Sequence, residues 1–327
     1  MGAVVIPDSG LNEVFEAIDH LKTSSHWPTT DDGEIKGSLL NEKQIADLIA
    51  VLRGRNITFT ACCCDLSHYE ADDLTQFQLA QSDALVRRVG LEHQSSLVRE
   101  LLQVRNQMLA LPLQLFIQLH FAVQTIVSAF QFATLYLAEM DPRELGSFSW
   151  RVDAKAQLPT RFETLWSQLL PLISQGNFDF LQIQDLDYSH FERYYLDSSS
   201  VPDYLKERIT PDDTGGFKGL DGKAVYEDLQ FMDSRASLGL QIADVLTTAL
   251  RRALDGKLKP KGWRHLGALM FEAPKFLLLS LEQTQEKRII DRHVEVWREI
   301  GAQLIKDGEL GRWVAAFQKE VRRRSRL

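Results

Sequence analysis

The stretch that most limits how this chain can fold is LPLQLFIQLHFAVQTIVSAFQFATLYLA, residues 111–138. So long an apolar run reads as a helix that belongs in a bilayer or in a protein core. In a bilayer, Gln114, Gln118, His120, Gln124 and Gln131 would lose water with nothing to replace it. A core or interface helix is therefore expected, and no membrane association. The run closes an almost wholly helical region from about Asp72 to Ala138, broken at Gly90 and Pro112. That is more chain than one crossover between strands needs, so residues 72–138 read as a helical insertion or cap on a sheet domain. Its apolar surface makes a homo-oligomer or a protein partner an expectation as well.

Around this region, strand and helix patterns alternate. AVVIP reads as an opening strand, and LNEVFEAIDHLKTS has helical spacing. EKQIADLIAVLRG reads as a helix capped by Asn41 and ending near Gly54. ITFTACCC, residues 57–64, reads as a buried strand, and SFSWRVDAK as another. A helix over TRFETLWSQLLPLI follows, then a candidate strand, FDFLQIQD. Residues 197–221 are the most loop-like part of the chain. SLGLQIADVLTTALRRAL is a strongly amphipathic helix that Ser237 can cap. Two further helical pieces are expected, around FEAPKFLLLSLEQ and over residues 286–324. The expected class is α/β, with a domain over 1–255 and a C-terminal helical extension, 256–327, packed on it.

At 327 residues, 44% hydrophobic and 25% charged, the chain can bury a large core without disulfides or a structural metal. Its cysteines, Cys62, Cys63 and Cys64, are consecutive. Adjacent strand positions face opposite ways and the run lacks zinc spacing, so reduced strand residues in a cytoplasmic protein are expected. The opening residues have no basic start and meet Pro7 after a short apolar run, unlike a secretory signal. A net charge of −8 argues against a general nucleic-acid coat. It leaves room for a nuclease, whose metal site needs carboxylates and whose substrate needs only a local basic patch such as Arg322, Arg323, Arg324 and Arg326.

Three carboxylates stand out by context. Glu34 lies in GEIKG, Asp153 at the end of the SFSWRVD strand, and Asp244 among Leu240, Ile242, Ala243, Val245 and Leu246. An ionised carboxylate in apolar surroundings is costly unless paired or bound to a cation. Carboxylates converging from separate elements suit Mg²⁺ or Mn²⁺, which take hard oxygen ligands, hold a water nucleophile and neutralise a scissile phosphate. Lys36 and Lys155 each lie two residues beyond an acid, and on extended backbone i and i+2 share a face. Each lysine can pair with its acid or meet a substrate phosphate. Gln241 shares a helix face with Asp244 and can orient it. Asp233 is either a fourth ligand or a turn residue. His190 and Arg193 in DYSHFERYY would stand one helical turn apart, with Tyr188, Phe191 and Tyr194 giving that segment a buried face.

The ordered set GEIKG, WRVDAK and MDSRASLGLQIADVL resembles the DUF3800 family over roughly residues 1–255. The strongest match is Leu240-Gln241-Ile242-Ala243-Asp244 preceded by Asp233-Ser234, and the second is Glu34-Ile35-Lys36. The resemblance implies an RNase H-like mixed sheet flanked by helices, with a metal-dependent nuclease site. It implies Glu34, Asp153, Asp244 and Asp233 as metal ligands, with Lys36 and Lys155 beside them. The family's opening strand, with its Asp-Glu-Ser-Gly-like motif, has no counterpart. AVVIP resembles the second strand, and Asp8-Ser9-Gly10 follows that strand rather than the first. Two explanations stand: an upstream segment is missing, or the protein naturally lacks one ligand and exposes a sheet edge. Two functions follow: a metal-dependent phosphodiesterase acting on DNA or RNA, or a non-catalytic binding or scaffolding subunit. A third, an enzyme on a small phosphorylated substrate, lacks a visible nucleotide-binding loop.

Overall fold

The structure, a computed structural model, describes residues 1–87, 95–154, 160–175, 186–196, 219–272, 275–276 and 291–305. Helices, including short 3₁₀ turns, hold 67% of these residues. The strands form two small sheets. In the first, β1 (Gly2–Val5) runs antiparallel to β2 (Thr58–Cys63), with Ala3 opposite Thr60. Between them in sequence lie α1 (Leu11–Ser24) and α2 (Glu42–Arg53). Three helices follow: α3 (Ala71–Arg87), α4 (Ser95–Leu109) and α5 (Leu113–Met140). Next come β3 (Trp150–Asp153), α6 (Arg161–Gln175), β4 (Leu229–Met232) and α7 (Leu238–Leu254). β3 and β4 make the second, parallel sheet, with Val152 opposite Phe231. A short strand, β5 (Lys275–Phe276), adds parallel to β2, and α8 (Asp291–Ala302) ends the described chain.

β2 divides the core. Phe59 and Ala61 join a cluster with Val14 and Ile18 of α1, Ile45 and Leu48 of α2, and Val245 and Leu246 of α7. Cys62, on the other face, joins Phe116, Leu119, Val123 and Phe130 of α5. Cys63 then packs with the first cluster and Cys64 with the second, so the cysteine run obeys the two-residue period of a strand buried on both faces. The first sheet thus lies between α5 on one side and α1, α2 and α7 on the other. Leu258, Trp263, Leu266, Leu269, Val296 and Ile300, from residues C-terminal to α7, belong to the same cluster as α7.

The helix α5 is long and apolar enough to cross a membrane, but 83% of its most apolar window is buried inside the protein. Its polar positions explain how. Gln114 is exposed, and Gln118, His120, Gln124 and Gln131 are only half-buried, while Phe116, Phe121, Phe130 and Leu135 are sealed. Covering α5 is what α3, α6, the first sheet and the 3₁₀ turn Pro142–Gly146 accomplish.

Local chemistry sets the helix starts. Asn41 Oδ1 accepts from the Gln44 N–H while Gln44 Oε1 accepts from the Asn41 N–H, each at 3.0 Å, a reciprocal cap of α2. Such a cap contributes about 1 kcal/mol. Ser237 Oγ accepts from Leu240 N–H at 3.3 Å to start α7. One expected helix is corrected at two positions: in FEAPKFLLLSLEQ, Lys275 and Phe276 are strand, paired with Cys62 and Cys63, and residues 277–283 lie outside the described residues. A continuous apolar run has no period to separate helix from strand, and the second edge of β2 offers backbone partners that a helix would leave unused. The expected strand FDFLQIQD, residues 197–218 of the expected loop at 197–221, and the arginine-rich tail lie outside the described residues.

Candidate acidic site

The loop between α1 and α2 is folded tightly on itself before it meets the rest of the site. Thr30 N–H donates to Glu34 O at 3.0 Å, Glu34 N–H to Thr30 Oγ1 at 3.1 Å, and Gly33 N–H to Thr30 O at 2.9 Å. Gly33 closes this turn with φ of 82°, a conformation glycine adopts without steric cost. Trp27 and Ile35 are buried on either side, and Glu34 is turned inward, 7% exposed.

One stripe of α7 receives the loop. Gln241, Asp244, Thr248 and Arg252 are spaced three and four apart, so they share a face. Gln241 Oε1 accepts from Ile35 N–H at 3.0 Å, and its Nε2 donates to Ser234 O at 3.0 Å. Asp244 Oδ2 accepts from Gly37 N–H at 3.0 Å, and its Oδ1 accepts from Thr248 Oγ1 at 3.4 Å. Arg252 donates to Gly37 O at 2.9 Å and Leu40 O at 2.7 Å. The charge of Asp244 inside an apolar helix is thus satisfied by a distant backbone amide. Gln241, expected to orient Asp244, instead ties the loop to the turn before α7.

At the head of this stripe, Glu34 Oε1 accepts from Lys36 Nζ at 2.6 Å and from Ser234 Oγ at 2.5 Å. The expected pairing of Glu34 with Lys36 is therefore made. Hydrogen bonding to Glu34 holds the Lys36 pKa above the ordinary lysine value against partial burial, and the charges of Glu34, Asp244 and Asp153 add to the shift. Asp153 arrives from the end of β3, whose Trp150 and Val152 face the α5 core while Arg151 and Asp153 face outward. Loss of solvent around its carboxyl group raises the Asp153 pKa. Lys36 and the side chain and backbone of Ser234 pull it back down, and Glu34 pushes it up. Three of the sequence candidates, Glu34, Asp153 and Asp244, thus act on a fourth, Lys36, from three separate elements.

The remaining candidates divide. Asp233 accepts from Arg235 N–H at 2.9 Å, and its carboxylate pairs with the Arg235 guanidinium, which also reaches Asp32 at 3.3 Å. Arg235 holds the Asp233 pKa down at about 2. Asp233 is the turn residue of its two readings, committed to Arg235. Lys155 lies outside the described residues. His190 and Arg193 sit in a 3₁₀ turn, Ser189–Tyr194, whose Phe191 and Tyr194 are buried. Arg193 pairs with Glu227 at 3.3 Å and lies over the Tyr194 ring, so that motif has a structural use. The residue that sequence reasoning left without a role is Ser234, which bonds Glu34 and helps lower the Asp153 pKa. Its one sequence signal was its place beside Asp233 before the α7 cap.

The donor chemistry of Glu34, Asp153 and Asp244 matches a hard divalent ion. The spacing does not: among the described residues, no three His, Cys, Asp or Glu side chains stand close enough to share one metal ion. A cleft of about 370 Å³ at the carboxyl end of β2 is lined by Cys62, Cys63, Phe121, Leu250 and Arg251 and by none of the clustered acids. In comparisons with known proteins, the chain matches no family profile, no curated protein and no solved structure.

Proposed function

We propose that this α/β chain is an RNase H-like phosphodiesterase that hydrolyses DNA or RNA, with Glu34, Asp153 and Asp244 as its acidic centre and Lys36 beside them. The observation that carries this reading is that Glu34, on a loop, bonds Lys36 at 2.6 Å while the charges of Asp244, on a helix, and Asp153, at a strand end, also hold the Lys36 pKa up. Such chemistry would need Mg²⁺ or Mn²⁺, which would supply an activated water and neutralise phosphate charge, and which the three carboxylates as they stand are not close enough to hold together. The chain's own residues do the positioning. Asp244 and Arg252 fix the backbone at Gly37, Gln241 fixes Ile35, and Ser234 Oγ bonds Glu34. Lys36 offers a flexible point charge within reach of a phosphate.

The test is cleavage of end-labelled single-stranded DNA, duplex DNA and RNA with Mg²⁺ or Mn²⁺, comparing the parent with Asp153→Asn. Cleavage by the parent that the variant lacks is the expected result. No cleavage of any of the three by a folded parent would overturn the reading.

A non-catalytic binding or scaffolding role is the second reading, and one observation favours it. Glu34 and Asp244 already have protein donors, and Asp233 is paired with Arg235. A purely structural use of the cluster, docking the loop on α7, needs nothing more. Retained nucleic-acid binding without cleavage would select this reading.

A further inference from the structure

We propose that the cleft at the carboxyl end of β2 binds a small amphipathic acid, a hydrocarbon body carrying one carboxylate, whose charge the Arg251 guanidinium receives. The site shares no residue with the acidic cluster and does not rest on the hydrolase reading.

The cleft follows from where the sheet stops. α5 packs on one face of β2 and α7 on the other. At the end of the strand Ile117 and Phe121 of α5 line the opening from one side, Leu250 and Leu254 of α7 from the other, with Cys62 and Cys63 between them. These four wall residues are buried members of the two core clusters, so the walls are set by the fold and a ligand has little to order on entry. The volume, about 370 Å³, lies within the range of about 300–1,000 Å³ that small-molecule sites occupy. Water against such walls is readily replaced by hydrocarbon.

The charge of the ligand follows from Arg251. Its side chain is exposed and lines the cleft, and among the described residues its guanidinium makes no hydrogen bond or ion pair. Asp255, one turn further along α7, is bonded to Lys257 at 3.1 Å instead. Asp65 accepts from the N–H and the Oγ of Ser67, at 3.0 Å and 2.6 Å. Both acids that line the cleft are therefore engaged, and Arg251 is a cation without an acid. A guanidinium fork matches a carboxylate in two parallel hydrogen bonds. A doubly charged phosphate fits less well, because the carboxylates of Asp65 and Asp255 stand at the same cleft and repel it.

Calorimetric titration of the full chain with decanoate, below its micelle-forming concentration, tests this, with naphthoate to separate an alkyl body from an aromatic one and decanol as the uncharged control. Binding of at least one of the two acids at a single site is expected, and the tighter of them names the body. Arg251→Gln should weaken the acid at least about tenfold and leave decanol unchanged. Gln118→Trp, a larger side chain from a half-buried position of the α5 wall, should abolish binding of both. No binding of either acid at millimolar concentration, or acid binding that Arg251→Gln leaves intact, would overturn the proposal. If Gln118→Trp fails to fold, the parent decides by nuclear Overhauser contacts between the bound acid and the methyl groups of Ile117 and Leu250. Their absence from a saturated sample sinks the idea. Nucleic-acid cleavage without acid binding loses this inference and keeps the hydrolase reading, and acid binding without cleavage does the reverse.

Discussion

The backbone N–H of Gly37 and the carboxylate of Asp244, 207 positions apart, meet at 3.0 Å. Glycine is what permits the approach. A Cβ built at Gly37 would lie 2.8 Å from the Val245 Cα and 2.8 Å from the Thr248 Cβ, so the loop rests directly on the backbone of α7. Everything else in the cluster is referred to this contact, because Lys36 is the preceding residue and Ile35, before it, is bonded to Gln241.

Gly37→Ala is therefore expected to be destabilising, by about 1–3 kcal/mol, as overpacking against fixed backbone is. Urea unfolding of the variant beside the parent measures it. An unchanged midpoint would mean that the loop is not seated on α7.

Asp244→Ala strands the Gly37 N–H and removes a charge-assisted bond, with an expected cost of about 1.5–3 kcal/mol. Asp244→Asn keeps an acceptor and should cost less. If the two substitutions cost the same, the carboxylate does not hold the loop through that amide.

How much of this was legible in the sequence depended on distance along the chain. The caps Asn41 and Ser237, the period of α7 and the cost of a bare Asp244 are local facts, and they were readable. The Glu34–Lys36 pair needed only an i, i+2 relation on extended backbone. Ser234 was opaque because its partner Glu34 lies 200 positions away. Gln241 was read as serving its neighbour Asp244, since helical spacing says which residues share a face but not what faces them. The GEIKG glycines looked alike, yet Gly33 serves a turn and Gly37 a close approach. Lys275 and Phe276 were taken for helix because the edge of β2 that claims them is not visible from their own segment.

His120 sits among Phe77, Phe116 and Phe121, and burial pushes its pKa down to about 4. A depressed histidine pKa means that the folded chain resists a proton the unfolded chain accepts. Its contribution is whole above the ordinary value of 6.5 and falls away as pH drops towards 4. His120→Phe should flatten that part of the stability profile, by up to about 3 kcal/mol at the acid end. Denaturant midpoints of both proteins between pH 7 and pH 4 decide this. Parallel profiles would contradict it.

Burial drives the thiols of Cys63 and Cys64 up to about 11 and about 12. Thiolate is the reactive form, so neither should react with iodoacetamide at neutral pH in the folded protein, and all three cysteines should do so in guanidinium. Mass spectrometry reads the count. Rapid labelling of Cys63 in the native state would mean that β2 is not buried between its two helical layers.

The account stands most directly on the cleavage rate of Glu34→Gln relative to the parent, with Mg²⁺ or Mn²⁺ and whichever nucleic acid the parent cuts. The substitution keeps an acceptor for Lys36 and Ser234 while removing the charge of the most buried acid in the cluster. A loss of at least about 100-fold in a protein that unfolds at the parent's denaturant midpoint is the predicted result. A rate within a few-fold of the parent would place the chemistry elsewhere and leave the acidic cluster as the clasp between loop and helix.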